Sequence, residues 1–147
     1  MWYEDLTTHY FGGRDDIPRL AIGWLEKERH YHKGETPKAV YEKLCEIREK
    51  PWLDYIYCGY HECDFCGKEK GSLNITIPHN GKLYHYPELI THYIEEHFYI
   101  PPEEFCEAVL VCPPMDSMDY YNKMVENGGE KLISYFHEMW EKSKKIF

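Results

Sequence analysis

Several features are missing from this 147-residue chain, and each absence excludes a class of protein. No apolar run approaches the roughly 20 residues that a membrane-spanning helix needs, so we expect no membrane association. Basic residues are in the minority, since 17 Lys and Arg face 26 Asp and Glu, which gives a formal net charge of −9. Because the nucleic-acid backbone is bound by clustered Lys and Arg, we expect no nucleic-acid partner.

Motifs that carry catalysis are also missing. The chain has no H-E-x-x-H helix, no H-x-E…P-C-x-x-C deaminase pattern, no Gly-rich phosphate loop and no G-x-S-x-G nucleophile turn. The sequence therefore leans away from an enzyme. Residues 1–5 have neither the basic nor the apolar region of a signal peptide, so a cytoplasmic, bacterial-type location is the expectation.

Cysteines and histidines hold the strongest signal in the chain. In a reducing compartment, cysteines stay as thiols or bind metal, and only Cys63 and Cys66 have ligand spacing between them. Downstream, His92 and His97 form an H-x4-H pair. Thiolates and imidazoles are the donors of tetrahedral zinc sites. The sequence thus predicts one structural Zn²⁺ ion held by Cys63, Cys66, His92 and His97.

The spacing of the two histidines leaves alternatives to this ligand set open. Five residues correspond to about 140° around an ideal helix, so both rings reach one ion only if the helix tightens or ends near Glu96. His61, two residues before Cys63, is a rival that could replace either histidine. The remaining alternative is no metal at all, with reduced thiols and solvated histidines.

The other cysteines and histidines lack ligand spacing. We expect three cysteines in apolar stretches to be small core residues, whereas Cys58, close to the first pair, is undecided. His85 falls on the more polar hairpin face and is a candidate for packing behind the ligands. The three core cysteines are Cys45, Cys106 and Cys112.

Asn80-Gly81 is the clearest local structure signal, because a two-residue type I′ turn needs positive φ at both positions. A hairpin around this turn places Ile77 opposite Tyr84 and Ile75 opposite Tyr86, on one apolar side. The predicted fold class is α+β: a small antiparallel sheet, a zinc-stabilised ββα element and several helices. Residues 1–113 form the predicted zinc-binding domain, and 114–147 a C-terminal helical hairpin packed on it as one compact unit.

Turn residues and apolar periodicity set the remaining predicted elements. Thr36 is the expected hydroxyl cap of the first helix, with Pro37 at its first position, and Gly23 indicates a bulge or close packing in an early strand. Residues 1–18 read as irregular. The predicted strands are 19–25, 55–58 and the hairpin strands, and the predicted helices are 37–49, 87–97 (opened by Pro87), 103–111, 117–126 and 130–144.

Larger segments of the chain resemble a known pattern. These are GYHECDFC (59–66), GSLNITIP (71–78) and YPELITHYIEEHFYIPPEEFCEAVL (86–110), with WYEDLTTHYF and AIGWLE near the start. Together they resemble a family of small, uncharacterised bacterial proteins with a G-x-H-x-C-x-x-C knuckle and an H-Y-x-x-x-H-x-Y-x-P-P-x-x-F helix junction. The resemblance covers about residues 1–110 and implies a metal site. The family pattern includes His61 as well as His92 and His97, so His61 stays a candidate ligand. The resemblance implies no particular activity.

Two functional hypotheses follow. A closed four-ligand site is structural, which favours a non-enzymatic protein-interaction module with an acidic, tyrosine-rich partner surface. By association with small acidic proteins that lack catalytic motifs, an immunity- or antitoxin-like role fits this module. The appended hairpin also permits a homodimer. The alternative is a zinc-dependent hydrolase-like enzyme with an open metal position near His61, where His61 or Glu62 is the base.

Overall fold

The computed structural model of the protein describes residues 1–11, 17–52 and 61–134. The predicted turns around Gly12-Gly13, the strand at 55–58 with Cys58, and the last helix beyond 134 lie outside these residues. The described elements, in chain order, are β1 (Thr8–His9), β2 (Arg19–Ala21), α1 (Lys38–Glu49), β3 (His61–Glu62), β4 (Lys70–Gly71), β5 (Asn74–His79), β6 (Lys82–Pro87), α2 (Ile90–His97), α3 (Glu103–Leu110) and α4 (Met118–Glu126). A further helix begins at residue 130. The α+β prediction is confirmed.

The β5–β6 hairpin has the predicted turn and register. Asn80 and Gly81 have φ angles of 48° and 77°, as a type I′ turn requires. Ile77 pairs with Tyr84, and the pairs on either side follow the same register. The hairpin carries α2 directly after it, so a ββα element is present.

One pair of neighbouring strands makes the main sheet differ from the antiparallel sheet that the sequence predicts. The strand order is β1-β2-β6-β5, and β2 runs parallel to β6, with Leu20 opposite Tyr84. The sheet is therefore mixed, because the chain between β2 and β6 crosses over through α1 before it returns. A second, two-stranded sheet pairs β3 with β4. On the main sheet, Phe105 of α3 packs edge-on against Tyr84 and Tyr86.

The opposite face of the hairpin is buried as well, which corrects the expectation of a polar face. His85 is only 1% exposed, and its Nδ1 lies 2.9 Å from Thr76 Oγ1. Its ring packs against Phe11, with centroids 4.3 Å apart, and stacks on Trp24 at 5.9 Å. His85 therefore belongs to an aromatic cluster under the sheet and lies outside the cysteine and histidine group described below.

Two helix starts also differ from the prediction. The Thr36 hydroxyl donates a hydrogen bond to the Tyr99 carbonyl (3.0 Å), and α1 begins after Pro37 without a side-chain cap. Pro87 ends β6, and α2 begins three residues later at Ile90. At Thr36, a long-range hydrogen bond takes the place of the predicted helix cap. At Pro87, strand pairing takes the place of the predicted first helical residue.

Gly23 fills the predicted role of close packing. The strand ends at Ala21, and Gly23 follows with a φ of 73°, where a Cβ would come within 3.1 Å of Ile90 Cγ1. The Gly23 N–H donates to the Asp5 carboxylate (2.9 Å), and the Tyr99 hydroxyl donates to the other oxygen of Asp5 (2.7 Å). The N-terminal segment is thereby tied to the residues that follow α2.

The helices α3 and α4 lie where the sequence places them. Ser117 caps α4 by accepting the Tyr120 N–H, and the Tyr120 hydroxyl donates to the Thr76 carbonyl of β5 (2.6 Å). The division into 1–113 and 114–147 stays a prediction. Within the described ranges, no helix combines the length and apolar character needed to cross a membrane.

Candidate metal centre

The first half of the site is a turn between β3 and β4, called here the knuckle (residues 61–71). The Gly67 N–H donates to the Cys63 carbonyl (2.7 Å), and Gly67 has a φ of 65°. The Cys63 N–H in turn donates to the Glu69 carbonyl (2.8 Å). This tight turn brings Cys66 back beside Cys63.

The second half is the C-terminal end of α2, which terminates at His97. Phe98 adopts a left-handed φ of 57°, and its N–H bonds to the Tyr93 carbonyl five residues back. The Tyr99 N–H reaches the same carbonyl at 3.1 Å. α2 thus ends at His97, where the left-handed Phe98 turns the chain away from the helix axis. Of the two conditions that the sequence analysis set, a tighter helix or an end near Glu96, the structure meets the second.

The four side chains converge on one point. The Nε2 atoms of His92 and His97 are 3.2 Å apart, the Cys63 sulfur is 3.3 Å from His97 Nε2, and the Cys66 sulfur is 3.4 Å from His92 Nε2. All four donor atoms lie within 4.8 Å of one another. Ordinary zinc bond lengths in a tetrahedron give edges of about 3.3 Å between nitrogens and about 3.6 Å between sulfur and nitrogen. The contacts are close to those of a tetrahedral shell.

Hydrogen bonds alone do not account for this arrangement. Each Nε2 atom carries either one proton or one lone pair, and this points outward in the plane of the imidazole ring. Each Nε2 atom therefore makes one good hydrogen bond. Here each Nε2 atom contacts both a sulfur and the other Nε2 atom. A cation that accepts all four lone pairs satisfies every donor at once, so this group could hold a metal ion.

The protonation of the group responds to its surroundings. Burial raises the pKa of the Cys63 thiol, while backbone N–H groups of Cys66 and Phe65 directed at its sulfur act in the opposite direction. Burial, followed by the nearby His92, lowers the pKa of His97. Without a cation, protonated Cys63 and neutral His97 are favoured. Metal binding must therefore displace a thiol proton, which makes affinity depend on pH.

Aromatic side chains cover the inner side of the site. The Phe65 ring packs on His97 with centroids 4.9 Å apart, and edge-on against Tyr31 and Tyr93. The Tyr31 hydroxyl donates to the His97 carbonyl (2.9 Å). Cys63 is 1% exposed, whereas Cys66 faces solvent. The sequence analysis did not predict these aromatic contacts. For the tight turn of the knuckle, the sequence signal is the glycine directly after Cys66.

A half-buried carboxylate, Glu88, fixes the base of the knuckle relative to α2, and sequence reasoning missed it. Glu88 Oε1 accepts the N–H groups of Ser72 (2.6 Å) and Leu73 (3.1 Å), and its other oxygen lies 3.6 Å from Arg48 Nε. A Cβ at Gly71 would come within 2.5 Å of Glu88 Cγ, so any larger residue there would displace the Glu88 side chain from this position. Glu88 thus aligns the two halves of the site.

His61, the rival ligand, lies outside the group of four. It sits in β3, where its ring meets Trp24 edge-on at 5.8 Å, and burial lowers its pKa. Together with Glu62 it lines a cavity of about 340 Å³. Of the other residues considered, His30 and His32 are exposed, Cys112 is buried, and Cys45 and Cys106 are half-buried.

Comparison with known proteins places the chain in a family. Residues 1–110 match a family described as a domain of unknown function (DUF7919). The chain belongs to this family. All four donors of the candidate metal centre lie inside the DUF7919 region, whereas α4 follows it. No curated protein and no solved structure matches the chain.

Proposed function

We propose that this DUF7919 protein binds one Zn²⁺ ion through Cys63, Cys66, His92 and His97, and that the ion has a structural role. The observation that carries the proposal is the convergence of four donor atoms within 4.8 Å, with three of their separations between 3.2 and 3.4 Å, close to the edges of a zinc tetrahedron. Four protein ligands fill a tetrahedral shell, and closed sites of this kind are structural. The two thiolates favour zinc over Mg²⁺ or Ca²⁺. The ion fastens the knuckle to α2.

We further propose that the zinc-stabilised domain is a non-enzymatic, cytoplasmic module that binds a protein partner. Phe98, directly after His97, is 63% exposed and holds a left-handed φ, which costs a bulky residue roughly 1–2 kcal/mol. An exposed aromatic side chain on a backbone that is hydrogen-bonded on both sides, to the Tyr93 carbonyl and from the Gly34 N–H, is suited to anchoring a partner. The net charge of −9 favours a basic partner. An immunity- or antitoxin-like role fits by association only.

The hydrolase alternative has less support. Catalytic zinc keeps a coordination position for water, and four protein donors leave none. His61 and Glu62, the proposed bases, line a separate cavity beside Trp24. This alternative requires one of the four ligands to leave the ion.

Metal analysis tests the zinc proposal. Wild-type protein and His61→Ala are both expected to carry one zinc per chain, because His61 lies outside the group, whereas His92→Ala should lose most of it. Cobalt substitution should give the intense visible absorption of a tetrahedral thiolate site. Zinc that depends on His61 and survives His92→Ala would show that the ligand set is wrong.

Affinity capture tests the partner proposal. Cross-linked pull-downs with wild type should enrich one protein, and Phe98→Ser should reduce its recovery at least tenfold, because the anchor is lost. Leu110→Ser is the matched control, since Leu110 is also an exposed apolar residue (49%) at a helix end. Equal recovery with both variants, or no specific partner under any condition, would count against an interaction through Phe98.

A further inference from the structure

The two sulfur atoms of the candidate metal centre differ in their access to solvent. Cys63 is 1% exposed, whereas Cys66 is exposed. A cleft of about 440 Å³ opens on the Cys66 side and is lined by residues of α1, α2 and the knuckle, including Cys45 and His92. A small solute can therefore reach one thiolate of the pair and not the other.

The two sulfurs are also close enough to react with each other. They lie within 4.8 Å in one tight turn, and a disulfide requires about 2.05 Å. The closure needed is a few ångströms within a surface turn. Of the two, the exposed sulfur is the one an oxidant meets first, and the buried sulfur is placed to attack it.

We propose that peroxide oxidises Cys66 and that the resulting Cys63–Cys66 disulfide releases the metal ion. The inference rests on the proposed zinc site and adds its regulation. The Cys66 thiolate attacks one peroxide oxygen, the O–O bond breaks, and the leaving hydroxide takes a proton to become water. The Cys63 thiolate then attacks the sulfenic sulfur of Cys66, the S–O bond breaks, and the leaving hydroxide takes a proton from solvent to become a second water. The two thiolates lose two electrons, peroxide gains them, and Zn²⁺ leaves unchanged.

Release of the ion has a defined structural consequence. Without it, Glu88 still holds the chain just after the knuckle, at Ser72 and Leu73. The described contacts of the knuckle itself are then few, among them the Lys27 N–H to Asp64 bond (2.6 Å), the Trp24–His61 ring contact and the packing of Phe65. Its own sheet, β3 with β4, is only two residue pairs long. The knuckle is expected to detach and to expose Phe65 and the aromatic surface beneath it, Tyr31 and Tyr93. A thiol reductant with zinc reverses the change.

The test uses the zinc-loaded full chain and hydrogen peroxide, with a zinc-binding dye as the first readout. One zinc per chain should be released, together with one disulfide mapped by peptide mass spectrometry to Cys63 and Cys66. Dithiothreitol with added zinc should restore the starting state. Amide hydrogen exchange should rise at 61–71 and stay low in the β5–β6 hairpin.

Matched variants exclude other thiols. Cys66→His keeps four donors but removes the disulfide, so release should slow at least tenfold, whereas Cys45→Ser and Cys58→Ser should release zinc like wild type. Two results overturn this inference: a disulfide to Cys45 or Cys58, or zinc that stays bound while peroxide is consumed. Neither result contradicts the proposed zinc site. Protein that holds no zinc before peroxide is added overturns the zinc proposal itself. Should Cys66→His bind no zinc, the disulfide map of wild type decides alone.

Discussion

Cys63→Ser is expected to abolish zinc binding and to lower the free energy of unfolding by about 4 kcal/mol at free zinc a thousandfold above its dissociation constant. An ion that binds the folded state alone stabilises it by this amount, and the serine removes the most buried of the four donors. The effect should stay below complete unfolding, because the hydrophobic core that contains Cys63 also extends over α1, the β5–β6 hairpin and α3. Denaturant unfolding with zinc present measures the difference.

Chelation provides the matched control for this result. Excess EDTA should destabilise wild type to the level of Cys63→Ser and leave the variant unchanged, since both then lack the ion. Cys45→Ser, at a half-buried thiol outside the group, should stay close to wild type in zinc content and stability. A Cys63→Ser protein with normal zinc and unchanged stability would contradict a structural metal at this position.

Acid is expected to destabilise the protein through His85. Burial, with the Arg19 guanidinium as the second cause, lowers the pKa of His85 well below its usual 6.5. The unfolded chain therefore binds the proton first, so stability is complete above about pH 6.5 and falls as the pH drops toward the folded-state pKa. The loss is up to about 1.4 kcal/mol for each pH unit in that window.

A variant at the same position separates His85 from the metal donors, which also bind protons. His85→Phe keeps an aromatic ring between Phe11 and Trp24. Because wild type and variant share all four metal donors, the difference between their stability curves between pH 7.5 and 4.5 isolates His85. We expect the variant to be less stable at neutral pH, where it lacks the Thr76 contact, and to lose less on acidification. Parallel curves would contradict the prediction.

The parts of the fold that the sequence predicts correctly depend on local chemistry. Asn80-Gly81 determines a turn, and the alternation of Ile75 and Ile77 fixes the register, so the hairpin follows from neighbours along the chain. The parallel pairing of β2 with β6 has no such local signal, because the two strands are about 60 residues apart in sequence. The buried second face is equally unpredictable: its cover, Phe11 and Trp24, comes from the distant N-terminal segment.

The candidate site also combines features that the sequence predicts with features that it does not predict. Spacing and donor chemistry single out the two cysteines and two histidines, and the structure brings these four together. The way α2 ends after His97 depends on Phe98, whose left-handed conformation no common sequence rule assigns to phenylalanine. The role of Glu88 depends on backbone N–H groups across the chain, which carry no residue-specific signal.

The position of the hairpin turn has a consequence for the order of folding. The contacts Cys66–His92 and Cys63–His97 span 26 and 34 residues, and both are nearly centred on Asn80 and Gly81. A hairpin forms within microseconds, and once it zips, the metal donors are separated only by 67–73 on one side and 88–91 on the other. Formation of the hairpin has then already brought most of the intervening chain together, so only a small loop-closure entropy cost remains for metal binding. Metal capture should therefore follow hairpin formation in time, which makes the turn, far from the four donors in sequence, a prerequisite for bringing them together.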